Sequence, residues 1–258
     1  MAIHWLYDIP DWLLAVLVVA LTVGLSAGGF IATRRPLRAR ALVSNDVASA
    51  ALGSVSLIYG VLLAMIAVAA WGNYTTAGDA MAREAGALAD MFREFEGYPE
   101  PARRQLQTRV REYLNLVLTD EWPALRRGRS SERTVRARAA LTREWAEFEP
   151  RAARERVLHQ ATAGAMTAFL DARRSRLSAG QAGLPTQLWM VVLLGAAITI
   201  GCTYFLRAED ERAQLVLISA VAALLGLVIF VILALDHPLW GAGGLAPDAF
   251  AEVARIIR

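Results

Sequence analysis

Lysine is absent from the 258-residue chain, cysteine occurs once and histidine three times. A lone cysteine, Cys202, excludes an intramolecular disulfide, a multi-cysteine metal site and a CxxC redox pair. His4, His159 and His237 are far apart, and none has a histidine four residues away. The chain carries no HExxH, no P-loop, no GxSxG and no GxGxxG opening a helix after a strand. No pair of carboxylates falls inside an apolar stretch, where a proton relay would need one. The expectation is a protein that is not an enzyme and has no metal site and no cofactor. With no lysine, all 27 basic residues are arginine, and the net charge is +3. Arginine-rich surfaces can bind nucleic acid. Here arginine alternates with Glu and Asp over residues 83–176, the pattern of solvated, ion-paired helix faces, so no nucleic-acid partner is expected.

Charge is also missing in a second, more telling way. No charged residue falls between Asp11 and Arg34, Asp46 and Asp79, Arg176 and Arg207, or Arg212 and Asp236. Those gaps hold 22, 32, 30 and 23 residues. About 20 apolar residues in a helix cross the hydrocarbon core of a bilayer, and backbone in lipid must satisfy its own hydrogen bonds. Four transmembrane helices are therefore predicted, near residues 12–32, 47–71, 188–206 and 213–235. Trp12, Trp71, Trp189 and Trp240 stand at or near their ends, as interfacial anchors do. The first apolar run follows no basic residue and is read as a retained span, not a cleaved signal.

The chain thus divides into a first transmembrane hairpin (1–71), an extramembrane insertion (72–185), a second hairpin (186–237) and a C-terminal turn with a short helix (238–258). Arg34, Arg35, Arg38 and Arg40 crowd the first connecting loop, and short arginine-rich loops stay cytoplasmic. That places the N-terminus, the insertion and the C-terminus on the extracytoplasmic side. Arg173, Arg174 and Arg176, close to the third span, pull the other way.

The insertion reads as helical. Trp71, Tyr74, Gly78, Met81, Ala85, Leu88, Phe92 and Phe95 keep one apolar face without a break, so the second span is predicted to continue to Tyr98. Pro99 and Pro101 interrupt it, and Pro101 suits the start of a new helix. Leu106, Val110, Tyr113 and Val117 mark that helix. Ala137, Leu141, Trp145 and Phe148 mark a third, stopped at Pro150. Leu158, Ala161, Ala165, Ala168 and Ala172 mark a fourth. Four amphipathic helices can bury their stripes against one another as a bundle.

Two features of the spans bear on function. Ser49, Gly53, Ser56, Gly60, Ala64 and Ala67 form a strip of small residues down the second span. Such a face allows close helix packing, and in an oligomer it can line a water-filled path. The fourth span ends in Asp236-His237-Pro238. Pro238 stops the helix, and Asp236 sits where the helix dipole disfavours an anion. It needs water or a partner, for which an arginine of the insertion is a candidate.

Taken in order, Asn45, Tyr59-Gly60-Val61-Leu62-Leu63, Arg83-Glu84-Ala85 with Leu88 and Arg93, Tyr113, Glu121-Trp122, Leu188-Trp189, Leu235-Asp236-His237-Pro238, Gly241, Pro247 and Phe250 resemble the bacterial bestrophin-like family. The resemblance covers nearly the whole chain. It implies four spans with a helical insertion between the second and third. Through bestrophins it further implies a pentameric anion channel whose helices continue past the membrane. In bestrophins the large helical part is cytosolic, the opposite of what the Arg34 to Arg40 cluster indicates. The acidic calcium clasp of bestrophins has no counterpart in this sequence, and Tyr59 is the one aromatic of the second span before Trp71.

The sequence therefore predicts an all-α, four-span protein of a bacterial plasma membrane, assembled as a homo-oligomer in the lipid bilayer. The leading function is a passive channel for inorganic anions. Ser49, Gly53, Ser56, Gly60 and Ala64 would line the pore or pack helices, and Arg83, Arg173, Arg174 and Arg176 would attract anions at its mouth. The alternative is a non-conducting scaffold or sensor whose insertion binds a partner or lipid.

Overall fold

A computed structural model describes residues 7, 9–40, 44–181, 183–206, 210–241 and 243–257. Its elements are helices α1 (Asp11–Arg40), α2 (Asn45–Glu94), α3 (Ala102–Leu116), α4 (Trp122–Arg126), α5 (Glu132–Ala146), α6 (Ala153–Gln181), α7 (Thr186–Thr203), α8 (Glu211–Asp236) and α9 (Asp248–Ile256). A 3-10 turn, Phe95–Gly97, ends α2, and a π-helical segment, Val117–Glu121, joins α3 to α4. There is no strand among the described residues. The chain separates into two compact units.

One unit comprises residues 9–72 and 183–236. Among the described residues four helices are long and apolar enough to cross a membrane, and their apolar segments belong to this unit. Leu57, Ile58, Met65, Val68, Leu193, Leu194, Val216 and Leu224 are exposed on them. So much outward apolar surface is costly in water and favourable in lipid. Small residues set the close approaches inside the unit. A Cβ at Gly226 of α8 would run into the Thr22 hydroxyl of α1. One at Gly195 of α7 would run into the Tyr59 ring of α2, whose hydroxyl donates to the Val192 carbonyl at 2.5 Å. Tyr204 lies against Gly29 and donates to the Ser26 carbonyl at 2.7 Å. Arg34 pairs with Glu211 at 3.0 Å.

The other unit holds residues 73–181 and 237–257 with Tyr7. Its core is built from Leu88, Met91 and Phe95 of α2 and its turn, Leu106, Val110 and Tyr113 of α3, Leu141 of α5, Met166 and Phe169 of α6, and Phe250 of α9. Ser131 caps α5, its hydroxyl accepting from the Thr134 N–H at 3.1 Å, which satisfies one of the free donors of the first turn. The stripe on α2 is buried from Met81 onward, while Trp71 is exposed. That stripe lies on one unbroken 50-residue helix, as its spacing predicts. At 1.5 Å per residue such a helix is about 75 Å long, more than twice the hydrocarbon thickness.

The face of α6 differs in part from the one its alanines indicate. Ala172 is buried and Leu158 and Ala165 pack partly buried against the core, but Ala161 and Ala168 are exposed, and the rest of the buried line runs through Thr162, Met166, Phe169, Arg173, Arg176 and Gly180. Two arginines on the inward face disguised it, because charge in a sequence reads as surface.

Candidate functional site

Inside the insertion four charged side chains meet, all but closed off from water. Glu84 stands on α2, Glu121 ends the π segment, and Arg173 and Arg176 lie one turn apart on α6. Residues three apart on a helix share a face, so both guanidiniums enter together. The π segment takes one extra residue per hydrogen-bonded ring and carries Glu121 to the same place. Arg176 donates from Nε to Glu84 at 2.7 Å and from Nη2 to Glu121 at 2.8 Å. Arg173 forks onto Glu121, with bonds of 2.6 and 3.1 Å. The Tyr113 hydroxyl donates to Glu84 at 2.5 Å and accepts from Arg173. Arg176 and Glu84 are fully buried, Glu121 and Arg173 nearly so. The remaining nitrogen of Arg176, Nη1, has no hydrogen-bond partner among the described residues. Its guanidinium carbon sits 5.6 Å from the Trp122 ring centre and 5.3 Å from that of Phe250, within range for cation–π attraction.

Two positive and two negative charges close the cluster at zero. Burial alone would raise the Glu121 carboxyl, but Arg176 and Arg173 outweigh it and hold that carboxyl below its usual range. Burial likewise opposes the charge on Arg176 and Arg173, yet the carboxylates, with Tyr113, hold both guanidiniums above their ordinary values. Burial, and then Glu84, push the Tyr113 phenol well up. The charges of the cluster are thus paired with one another. Its hydrogen bonds join α2, α3, the π segment and α6, and a looser pair between Arg173 and Glu84 at 3.6 Å crosses the cluster. A buried pair is weak support for net stability but costly to break.

This corrects one expectation. Of the four arginines assigned to an anion-attracting mouth, Arg173 and Arg176 are interior and neutralised by Glu121 and Glu84. Arg83 is exposed and makes no ion pair among the described residues, and Arg174 is exposed with a loose pair to Asp171 at 3.6 Å. Sequence reasoning missed the carboxylate partners. The signal was there in another form: Glu84, Tyr113, Glu121, Trp122 and Phe250 all carry the family resemblance, and all five meet at this cluster.

The small-residue strip lies elsewhere. Ser49, Gly53, Ser56, Gly60 and Ala64 are all exposed along α2, and a Cβ at Gly53 or Gly60 would touch nothing within 4 Å. An adjoining face of α2 carries the intramolecular packing, through Tyr59, Leu63, Ile66 and Ala70. Asp236 is buried, and its carboxylate accepts from the Leu184 backbone N–H at 2.5 Å and from the Trp189 indole at 3.3 Å. The partners found for it are thus next to and within α7. His237 accepts or donates at Nδ1 with the Tyr7 hydroxyl, 3.1 Å away, and stacks on Trp240 at 3.6 Å. The Pro238 carbonyl accepts from the Leu245 N–H at 2.7 Å. The side chains of Arg35, Arg38 and Arg40 and residues 207–209, on which the orientation reading also rests, lie outside the described residues. No cluster of metal-binding side chains occurs among the described residues.

These features define an α-helical membrane protein with four apolar helices and a helical module pinned by internal ion pairs. A model of the bestrophin-like domain matches residues 16–250, and the chain belongs to the bestrophin-like family. Among solved structures it is similar to a bacterial bestrophin homologue from Klebsiella pneumoniae, at 13% identity and a TM-score of 0.70, covering 94% of this chain and 96% of that one. A single-residue variant of a bestrophin homologue from the same organism gives 13% identity and a TM-score of 0.71 over 94% and 97% of the two chains. Another match, described as a membrane protein, has 12% identity and a TM-score of 0.69 over 94% and 97%. At such identity the likeness is one of fold. No curated protein matches the chain.

Proposed function

We propose that the protein is a passive anion channel, built as a homo-oligomer, pentameric by analogy with bestrophins, in a bacterial plasma membrane. The observation that carries this reading is the exposed strip of Ser49, Gly53, Ser56, Gly60 and Ala64 on α2, in a chain with the family and fold of bestrophins. An exposed face of small and hydroxyl-bearing side chains suits a wetted path between subunits. Ser56 faces the axis in this arrangement, and Gly60 packs. Arg83 and Arg174, the two exposed members of the arginine set, draw anions toward the entrance by charge. The Arg34 to Arg40 cluster favours an extracytoplasmic insertion.

A second reading, a scaffold or sensor, has one observation in its favour. The insertion carries a cavity of about 900 Å³ lined by Pro99, Glu100, Arg109, Glu144, Phe148 and Arg151, among others, large enough for a soluble ligand. Purified protein in liposomes separates the two. The channel reading expects anion flux that Ser56→Leu abolishes with the oligomer mass unchanged. Absence of flux from correctly assembled wild-type protein favours the sensor.

A further inference from the structure

The turn at residues 126–129 opens a strongly basic stretch of the insertion. From residue 126 to 138 the chain places Arg126, Arg127, Arg129, Arg133, Arg136 and Arg138 against a single acid, Glu132. A second basic run, Arg103, Arg104, Arg109 and Arg111, is tied down: Arg103 and Arg104 pair with Glu100, Arg109 pairs with Glu112 and Glu144, and Arg111 donates to the Ile257 carbonyl. Arg133 and Arg136 make loose pairs with Asp120 and Glu132, at 3.6 and 3.7 Å. Arg126, Arg127 and Arg129 are exposed and make no ion pair among the described residues. The turn is hydrogen-bonded within itself: Gly128 takes a positive φ of 65°, and the N–H groups of Arg127, Gly128 and Arg129 all donate back into α4.

Connectivity ties this turn to the ends of two apolar helices. The Arg126 carbonyl accepts from the Gly241 N–H at 3.0 Å. Gly241, at φ 68°, packs so tightly on the Tyr7 carbonyl that no side chain fits there. Gly241 follows Asp236, the last residue of α8, by five positions, and Tyr7 precedes Asp11, the first residue of α1, by four. Five residues of chain reach at most about 18 Å, and the headgroup layer on each side of the hydrocarbon core is about 5–8 Å deep. Tyr7, His237 and Trp240 form one aromatic cluster beside Gly241, the kind of side chains that settle at a membrane interface.

We infer that Arg126, Arg127 and Arg129 form a docking surface for the phosphate groups of anionic lipid headgroups. Guanidinium forks fit phosphate oxygens in pairs, and a basic segment near an anionic bilayer gains about 1 kcal/mol per arginine. The inference needs only that the chain is a membrane protein and stands whether or not it conducts.

The test uses the full-length protein in detergent, with a fluorescent phosphatidylglycerol as probe and phosphatidylcholine as reference. Wild type binds phosphatidylglycerol in preference, and salt weakens the binding. Replacing Arg126, Arg127 and Arg129 together with Gln lowers the affinity about fivefold per residue, on the order of 100-fold in all. A control with the same loss of charge, Arg103→Gln, Arg104→Gln and Arg154→Gln, keeps wild-type affinity. Elution volume and melting temperature, unchanged in both, certify folding. Retained preference in the turn variant, or an equal loss in the control, overturns the proposal. So does displacement by inorganic phosphate at the concentration at which phosphatidylglycerol saturates, which would assign the surface to a free anion.

Discussion

Arg176 and Glu84, 92 residues apart in the chain, meet through a 2.7 Å bond from Nε with both side chains fully buried. The pairing has a thermodynamic consequence that the neighbouring Arg174 does not share. Arg176→Met leaves the Glu84 and Glu121 carboxylates with one positive charge between them in a closed interior. Removing one partner of a buried pair costs about 3–5 kcal/mol. Arg174, 80% exposed, can be changed to Met within about 0.5 kcal/mol, as ordinary surface sites can. Thermal unfolding of the two full-length variants in detergent compares them directly. Equal stability of the two would refute the network as a structural pin.

Acid should loosen the insertion in two steps. His159 stacks on Trp145 at 4.7 Å and meets Tyr98 and Phe148, and burial lowers its pKa. A group with a depressed folded pKa contributes stability above its unfolded value and loses it as pH falls through the folded one. For His159 the loss therefore begins below about 6.5. Glu121, held low by Arg176 and Arg173 against its own burial, follows the same sign, and its contribution fades only below about 4.3. The melting temperature should hold level above neutral pH, sag below 6.5 and fall steeply below 4. His159→Gln should remove the first decline and leave the second. A melting temperature that rises on acidification contradicts both assignments.

The two-part character of α2 gives a third test. Ala82 is exposed, yet it lies inside an unbroken 50-residue helix. Proline there deletes the hydrogen bond to the Gly78 carbonyl and crowds that carbonyl, at a cost of about 3 kcal/mol or more. Ala82→Pro should reduce folded yield and melting temperature, whereas Ala82→Gly should cost only about 1 kcal/mol. A proline variant as stable as wild type would mean that the helix is interrupted near residue 82.

How legible these features were in the sequence depended on the range of the physics involved. The spans were readable because exclusion of charge from lipid acts on every residue of a stretch. The continuity of α2 was readable because Met81, Ala85, Leu88 and Phe92 repeat on one face within a few turns. The inward face of α6 was not. Arg173 and Arg176 are ordinary surface residues until Glu121 and Glu84 arrive from 52 and 92 residues away, and no local pattern announces such a pairing. The small strip on α2 was visible as a strip, but what it faces depends on other copies of the chain. The partners of Asp236 escaped for a related reason: the Leu184 N–H is a backbone donor, which every residue but proline carries.

Orientation is decided by one labelling experiment. Arg34, Arg35, Arg38 and Arg40 lie in the last turns of α1, in the short connection between two apolar spans, the setting in which the positive-inside rule is strongest. On that ground the insertion is proposed to face away from the cytoplasm. The competing arginines near the third span are three, and two of them, Arg173 and Arg176, are neutralised in the folded insertion. The rule acts during membrane insertion, before those pairs form, so the count of exposed charge is not the whole argument. Ser130 is exposed in the turn between α4 and α5, and the one native thiol, Cys202, lies in an apolar helix. Ser130→Cys in a Cys202→Ala background should react in intact cells with a membrane-impermeant maleimide once the outer envelope is permeable to it. Reaction only after lysis would place the insertion in the cytosol, the bestrophin arrangement. It would also mean that Arg34 to Arg40 do not determine the topology and that the basic turn at 126–129 faces the cytoplasmic leaflet.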